Sequence, residues 1–283
     1  MLKPPLGNVV GVPLACATRA IPAMFPVTPE QLTELRAFFA DPPPNAPMLY
    51  AFLDGRAPGR VFVDRLGDAG ACVVVMNYSF VFFGGQPTPD FIHEALGWLR
   101  RDQFLHVVWP VGGLPRSPAP DQAVDRIEYR QRIDFAGALL RQAFLRIPEG
   151  GRVRRIDAEL MKRCMWREEA AFAAGSIVEF LLHGVGFCLL IGEEIVSEAY
   201  SCFWGLDRVE IATITHRDHR GKGYAAAVCA YLIDACEKIG FSTYWSCDAT
   251  NMPSRRLAAR LGFSDPCNYR LLRYRRSMAA AFA

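Results

Sequence analysis

The residues Arg220-Gly221-Lys222-Gly223-Tyr224-Ala225 set two cations and two glycines ahead of an apolar stretch, Tyr224 to Ile239, that reads as a helix. Before them, Val209 to Thr215 reads as a strand. A strand, a basic glycine turn and a helix start make an anion-binding arrangement. Glycines let the backbone come close to the anion. The first helical turn offers N–H groups without partners, at the positive end of the helix dipole. Arg220 and Lys222 add full charges. The chemistry this spacing predicts is phosphate binding.

A Walker A loop needs Gly-x-x-x-x-Gly-Lys-Ser/Thr. Here Gly223 follows Lys222 and His216 stands where the early glycine belongs, so that reading fails. A dinucleotide fingerprint matches loosely as Gly221-x-Gly223-x-x-Ala226, with Asp248 at the end of the next strand-like run. Against it, the polar stretch His216 to Arg220 separates the strand from the glycines, and only one strand–helix unit follows.

The third pattern is Arg220-x-x-Gly223-x-Ala225, which resembles the Arg/Gln-x-x-Gly-x-Gly/Ala signature of the GNAT acyltransferase superfamily. Downstream, Asn251, a short helix over Met252 to Arg260 and a closing Leu261-Gly262-Phe263 resemble its second signature. Within the superfamily the wording is nearest a two-domain bacterial group that includes the zwittermicin A resistance acetyltransferase. Gly186-Phe187-Cys188, Ile195 to Ala199, Val209-Glu210-Ile211, Trp245-Ser246-Cys247, Asn251 and Ser254 carry that likeness.

The resemblance implies an acetyl-CoA-dependent N-acetyltransferase acting on a primary amine of a small molecule. Transfer runs by direct attack through a tetrahedral intermediate, with no metal. It implies that Arg220, Gly221, Lys222, Gly223, Tyr224 and Ala225 hold the pyrophosphate. The backbone of Thr213, Ile214 and Thr215 would pair with pantetheine, and Asn251 and Ser254 would touch the pantetheine arm or thiol. It makes Glu210 the first candidate for general base and Glu198 the second. Glu210 stands one residue off the position in some relatives, a displacement that changes strand face unless a bulge restores it. Where many relatives carry a Tyr as general acid this chain has Ala258. Ser254, Cys247, water, Tyr200 or Tyr269 would have to serve. A catalytically silent acyl-CoA-binding protein is the alternative reading, and a nicotinamide-dependent enzyme is a third.

The elements that must position these groups form a mixed α/β (α+β) fold. The resemblance implies a splayed sheet flanked by helices over 148–283, preceded by a smaller α/β domain over 1–147 that could be a degenerate copy of the same fold. In the first part the pattern predicts a helix over Pro29 to Ala40 capped by Thr28, then strands Arg60 to Asp64 and Cys72 to Phe83. A helix from Pro89 to Arg100 and strands His106 to Trp109 and Glu128 to Phe135 follow. No catalytic motif stands out there. Ile147-Pro148-Glu149-Gly150-Gly151 reads as the linker. Beyond it, helices at Ala158 to Met165 and Ser176 to His183 and a hairpin around Gly192-Glu193 precede the glycine turn.

Composition bounds the rest. Apolar residues are 51% and charged residues 22% of 283 residues, enough to build a core. Net charge is only +3, which argues against a dedicated nucleic-acid binder. No apolar run is long enough for a membrane span. Nine scattered cysteines without a Cys-x-x-Cys pair fit reduced thiols in a cytoplasmic protein, and the five histidines show no metal spacing along the chain.

Overall fold

The computed structural model describes residues 24–26, 32–110, 118–134 and 137–277. Thr28, the expected helix cap, lies outside them. Strands are β1 (Phe25–Pro26), β2 (Gly59–Val63), β3 (Ala71–Met76), β4 (Phe80–Gly85), β5 (Leu105–Pro110), β6 (Gln122–Arg132), β7 (Gly151–Arg155), β8 (Gly186–Ile191), β9 (Glu194–Gly205), β10 (Arg208–Thr215), β11 (Ser242–Asp248) and β12 (Phe263–Tyr274). Helices are α1 (Leu32–Leu35), α2 (Ala46–Leu53), α3 (Pro89–Leu99), α4 (Ala138–Phe144), α5 (Ala158–Met161), α6 (Arg167–Ala174), α7 (Ile177–His183), α8 (Tyr224–Lys238) and α9 (Met252–Arg260).

All twelve strands join one sheet, in the order β1-β2-β3-β4-β5-β12-β6-β11-β10-β9-β8-β7. Each half contributes four antiparallel strands, a crossover helix and a strand parallel to the fourth: β1 to β4, α3 and β5, then β7 to β10, α8 and β11. The last strand of each half crosses over. β6 lies between β12 and β11, and β12 lies between β5 and β6. Only two parallel pairs, β4–β5 and β10–β11, occur among the described strands, so the long parallel series of a nicotinamide-binding fold is absent.

Two sequence expectations change. Cys72 to Phe83 is not one strand: the chain reverses at Asn77-Tyr78-Ser79, and Ser79 takes a left-handed φ of 62°. Its apolar run gives no turn signal because both strands are buried. The expected Glu128 to Phe135 strand starts earlier, at Gln122. The elements that went unpredicted include α2, α4, α6 and β7. All eight residues of α2 are buried, so it lacks an amphipathic pattern.

Strand alternation divides the sheet into two faces. On one, Val209, Ile211, Trp245, Cys247, Ile127 and Tyr129 pack against Val228, Cys229, Leu232 and Ile233 of α8. On the other, Phe203, Tyr269 and Leu271 pack against α2 of the first half. The α2 backbone comes so close to Gly205 that a Cβ there would lie 2.6 Å from Pro47 O. That face carries the polar groups described next.

Candidate active site

The glycine turn has the expected form. After β10 a short 3-10 turn over Arg217–His219 leads to Gly221 at φ 79° and Gly223 at φ 86°, both left-handed. Gly223 is the N-cap of α8 and supplies no side-chain acceptor, so the helix N–H groups stay available. A Cβ on Gly221 would meet nothing within 4 Å, so open space lies above it. Arg220 and Lys222 are exposed, and Arg220 Nε donates to Thr215 O at 3.1 Å. The Tyr224 side chain is buried under the helix as an anchor, while Ala225 is half-buried in the first turn. Sequence reasoning missed Arg146, whose side chain would lie 3.2 Å from a Cβ on Gly223. It follows α4 and brings a further cation to the turn.

Beside the turn the sheet opens. β10 and β11 pair only at Arg208↔Ser242, Val209↔Thr243 and Glu210↔Tyr244. Beyond Glu210 the two strands part, leaving the β10 edge from Ile211 to Thr215 without a strand partner on that side among the described residues. On the opposite edge β10 stays paired to β9 through Thr215↔Ser197, which includes Thr213 and Ile214. The hydroxyls also face β9: Thr213 Oγ1 donates to Glu198 O at 2.9 Å, and Thr215 Oγ1 lies 2.8 Å from Ser197 Oγ. The exposed backbone and the uncapped helix form a continuous track of amide groups, which fits an extended diamide ending in a pyrophosphate.

The two candidate carboxylates differ in environment. Glu210 sits where the strands part. There β9 carries an extra residue, Val209 facing Trp204 and Ile211 facing Ser201, so a bulge stands opposite Glu210. Its Oε2 is buried with no hydrogen-bond partner among the described residues. Burial pushes its carboxyl up to about 7; the Arg126 guanidinium pulls it down and the Glu128 charge raises it further. Glu198 is buried on β9 with both oxygens engaged: Trp166 N donates to Oε1 at 2.7 Å and Met165 N to Oε2 at 3.2 Å. It fastens the loop between α5 and α6 to the sheet.

The start of α9 is a capped helix entry. Asn251 Oδ1 accepts from Ser254 N at 3.2 Å, and Pro253 stands in the first turn. Ser254 Oγ accepts from Trp245 Nε1 at 3.0 Å and lies beside Cys247. Trp245 and Cys247 point to the α8 face, opposite to Glu210. Ala258 is fully buried, so no acid stands at that position.

The largest departure from the sequence reading concerns the first half, which supplies side chains to this site. Register alone places them: Glu210 pairs with Tyr244, Ser246 with Glu128, Asp248 with Arg126, and Arg126 with Tyr269. These residues form a polar row across β10, β11, β6 and β12 on one face. Tyr244 Oη donates to Glu128 Oε2, Arg130 Nε donates to Glu128 Oε1 at 2.6 Å, and Asn45 N donates to Glu128 Oε2 at 2.9 Å. Asn45, left-handed at φ 61°, is the N-cap of α2, so that helix aims its positive end at the Glu128 carboxylate. Alternating charges on β6 were visible in the sequence, but nothing local said which strand they would face.

The histidines also gather. His216, His219 and Glu194 bring ligand-type atoms within 4.8 Å of one another beside the glycine turn, a proximity invisible in the linear spacing.

The equivalent turn of the first half is shut. β4 and β5 also pair at only two positions before parting. There the Phe39 ring lies where a Gly84 Cβ would be, at 2.5 Å, and Phe38 crowds Gly85. Thr88 Oγ1 accepts from Phe91 N, capping α3 with its own side chain. Only the second turn keeps a free helix end.

Residues 117–272, more than half the chain, match the family model for GNAT acetyltransferases. A 127-residue stretch is 34% identical to YdfB, an uncharacterized N-acetyltransferase of Bacillus subtilis (strain 168); it covers 44% of this chain and 49% of that protein, so the match spans about half the relative's length. Among solved structures, a GCN5-related N-acetyltransferase-like protein from Streptococcus suis superposes with a TM-score of 0.65 at 23% identity, covering 86% of this chain and 98% of its own. A tandem GNAT protein from the clavulanic acid biosynthesis pathway gives 0.58 at 13% identity, covering 88% and 97%. No helix among the described residues is long and apolar enough to cross a membrane.

Proposed function

The chain belongs to the GNAT acetyltransferase family, and from that premise we propose that it moves an acetyl group from acetyl-CoA to a primary amine of a small molecule, with Glu210 as general base. The observation that carries this is the placement of Glu210. It is half-buried, with a buried Oε2 that has no partner among the described residues and a carboxyl raised to about 7, at the point where β10 and β11 separate. A base near neutrality has the largest product of ionised fraction and proton affinity at physiological pH. An ammonium entering this pocket meets an anion. Once the proton has passed to Glu210, the neutral amine can attack the thioester carbonyl.

The residues around the glycine turn would hold the other substrate. N–H groups at Gly223 to Ala225 and the cations Arg220, Lys222 and Arg146 suit a pyrophosphate. The free β10 edge at Thr213 to Thr215 suits the pantetheine amides, and an N–H of that edge would face the thioester oxygen. When bound, the thioester supplies the activated acetyl group. Asn251 and Ser254 are already engaged at the helix entry, so they would contact the arm through the faces those bonds leave open. We further propose that 1–147 is a degenerate copy of the domain formed by 148–283, its own turn closed by Phe39.

The test is turnover of acetyl-CoA with a panel of small amines, run beside thermal shifts with acetyl-CoA, CoA and NAD. A ligand at one hundred times its Kd adds about 2.7 kcal/mol of stability. Stabilisation by the CoA species with acetylated product supports the reading, and stabilisation by NAD alone sinks it. Ala258, which leaves its helix without an acid, favours the second reading of a silent CoA-binding protein. CoA binding without turnover on any amine would select it.

A further inference from the structure

The missing tyrosine at position 258 leaves the departing thiolate without an evident proton donor. Three of the candidates point the wrong way or are locked. Ser254 and Cys247 bond on the α8 side of the sheet. Tyr200 is buried, with its ring held edge-on against Trp166 and Phe180.

Ser246 is differently placed. It follows Tyr244, the last β11 residue paired to β10, by two positions, so it is the first side chain beyond the parting of the strands on the Glu210 face. It is half-buried, and behind it Tyr269 is 1% exposed. Ser246 Oγ lies 2.8 Å from Tyr269 Oη. Arg126 from the first half braces both, donating from Nη2 to Ser246 Oγ and from Nε to Tyr269 Oη, each at 3.1 Å. Arg126 is itself fixed by Asp248, 2.6 Å away.

The proton count decides what this trio can do. Arg126 has no acceptor atom and gives a proton to each oxygen. The two hydroxyls share one hydrogen bond between them. One hydroxyl proton is therefore left with no acceptor in the trio. When Tyr269 donates to Ser246, the spare proton is that of Ser246, on the side open to the cleft.

We propose that Ser246 is the general acid of the reaction and that Tyr269 and Arg126 are its positioning residues; this rests on the acetyl-transfer reading above. The amine, its ammonium proton already passed through Glu210 to solvent, bonds through nitrogen to the carbonyl carbon, and the second proton this nitrogen then sheds goes to the emptied Glu210. The carbon–sulfur bond then breaks, its electron pair stays on sulfur, and Ser246 Oγ–H passes its proton to that sulfur. Tyr269 refills Ser246 along the existing hydrogen bond, the Arg126 guanidinium faces the transient phenolate, and solvent returns the proton to Tyr269. Glu210 releases its proton to solvent, so the balance closes. Burial keeps the Tyr269 hydroxyl above the ordinary phenol range against the pull of Arg126, so it is protonated at working pH.

The experiment is steady-state kinetics of Ser246→Ala, Tyr269→Phe, the double variant and Ser246→Thr with acetyl-CoA and the best amine of the panel. Expected is a fall in kcat of ten-fold or more in each single variant, with KM for acetyl-CoA unchanged. The double variant is no slower than the worse single, because the two act as a unit. Ser246→Thr, which keeps the hydroxyl on a strand that tolerates a β-branched residue, restores most of kcat. Wild-type kcat in Ser246→Ala overturns the assignment even if Tyr269→Phe fails to fold. No turnover in the wild type overturns the acetyl-transfer reading and this one with it; turnover with an unimpaired Ser246→Ala overturns this one alone.

Discussion

At the scale of single residues, two carboxylates twelve positions apart on neighbouring strands are separated by their partners. Glu198 spends its oxygens on two loop N–H groups, whereas Glu210 has an oxygen with none. Glu210→Gln is therefore expected to lower kcat by about 10²- to 10⁴-fold while CoA affinity holds. Glu198→Gln is expected to cost about 1–3 kcal/mol of stability by weakening acceptors for buried donors, read as a lower Tm. The wild-type rate should rise with pH and level off near 7, where Glu210 loses its proton. Because the Glu128 charge raises Glu210, Glu128→Gln should move that limb to lower pH. A limb that stays in place removes Glu128 from the coupling. The sign for stability is opposite. A carboxyl raised on folding is protonated in the native state between its unfolded value near 4.3 and about 7. Its contribution is full below that window and is lost as pH rises through 7. Glu210→Gln should thus gain in Tm over the wild type at pH 8 and lose that advantage by pH 5.

At the scale of elements, the phosphate turn was readable because its chemistry is local. Glycines at left-handed φ, nearby cations and a helix start occupy a few consecutive residues, and the structure keeps all of them together. What the sequence concealed was the closed turn of the first half, since Gly84-Gly85 before a helix carries part of the same signal. Only packing reveals that Phe39 fills it. The hairpin at Asn77 to Ser79 and the all-buried α2 were hidden for a related reason, because continuous burial erases the periodicity that marks an element's ends. Gly223→Ala tests the turn. A side chain at its left-handed φ costs about 1–2 kcal/mol and presses on Arg146, so both Tm and CoA affinity should fall. Arg146→Ala, away from any strained backbone, should weaken CoA binding and flatten its salt dependence with Tm unchanged. Equal affinity in Arg146→Ala would remove that residue from the anion site.

At the scale of the whole molecule, neither half is complete alone. The polar row from Glu210 to Tyr269 crosses four strands, two of which sit there only because β6 and β12 trade places between halves. Pairings such as Arg126↔Asp248 join residues more than a hundred positions apart, which is why Arg126 and Glu128 looked like ordinary strand charges in the sequence. The exchange has a thermodynamic consequence. Removing β12 strips partners from β5 and from β6 at once, and removing β6 exposes β11 and β12. Neither half can open without breaking the ladders of the other. Native-state hydrogen exchange should therefore find the central amides of β5, β12, β6 and β11 exchanging with one common free energy, equal to that of global unfolding and with one denaturant dependence. The outer strands β1 and β7, each paired on one side only, should exchange at lower free energies. Two separate opening energies, one for β5 with the first half and one for β11 with the second, would mean that the halves fold independently. The active site would then depend on docking between them, and first-half substitutions such as Arg126→Ala would change affinity between halves instead of the chemistry at Glu210.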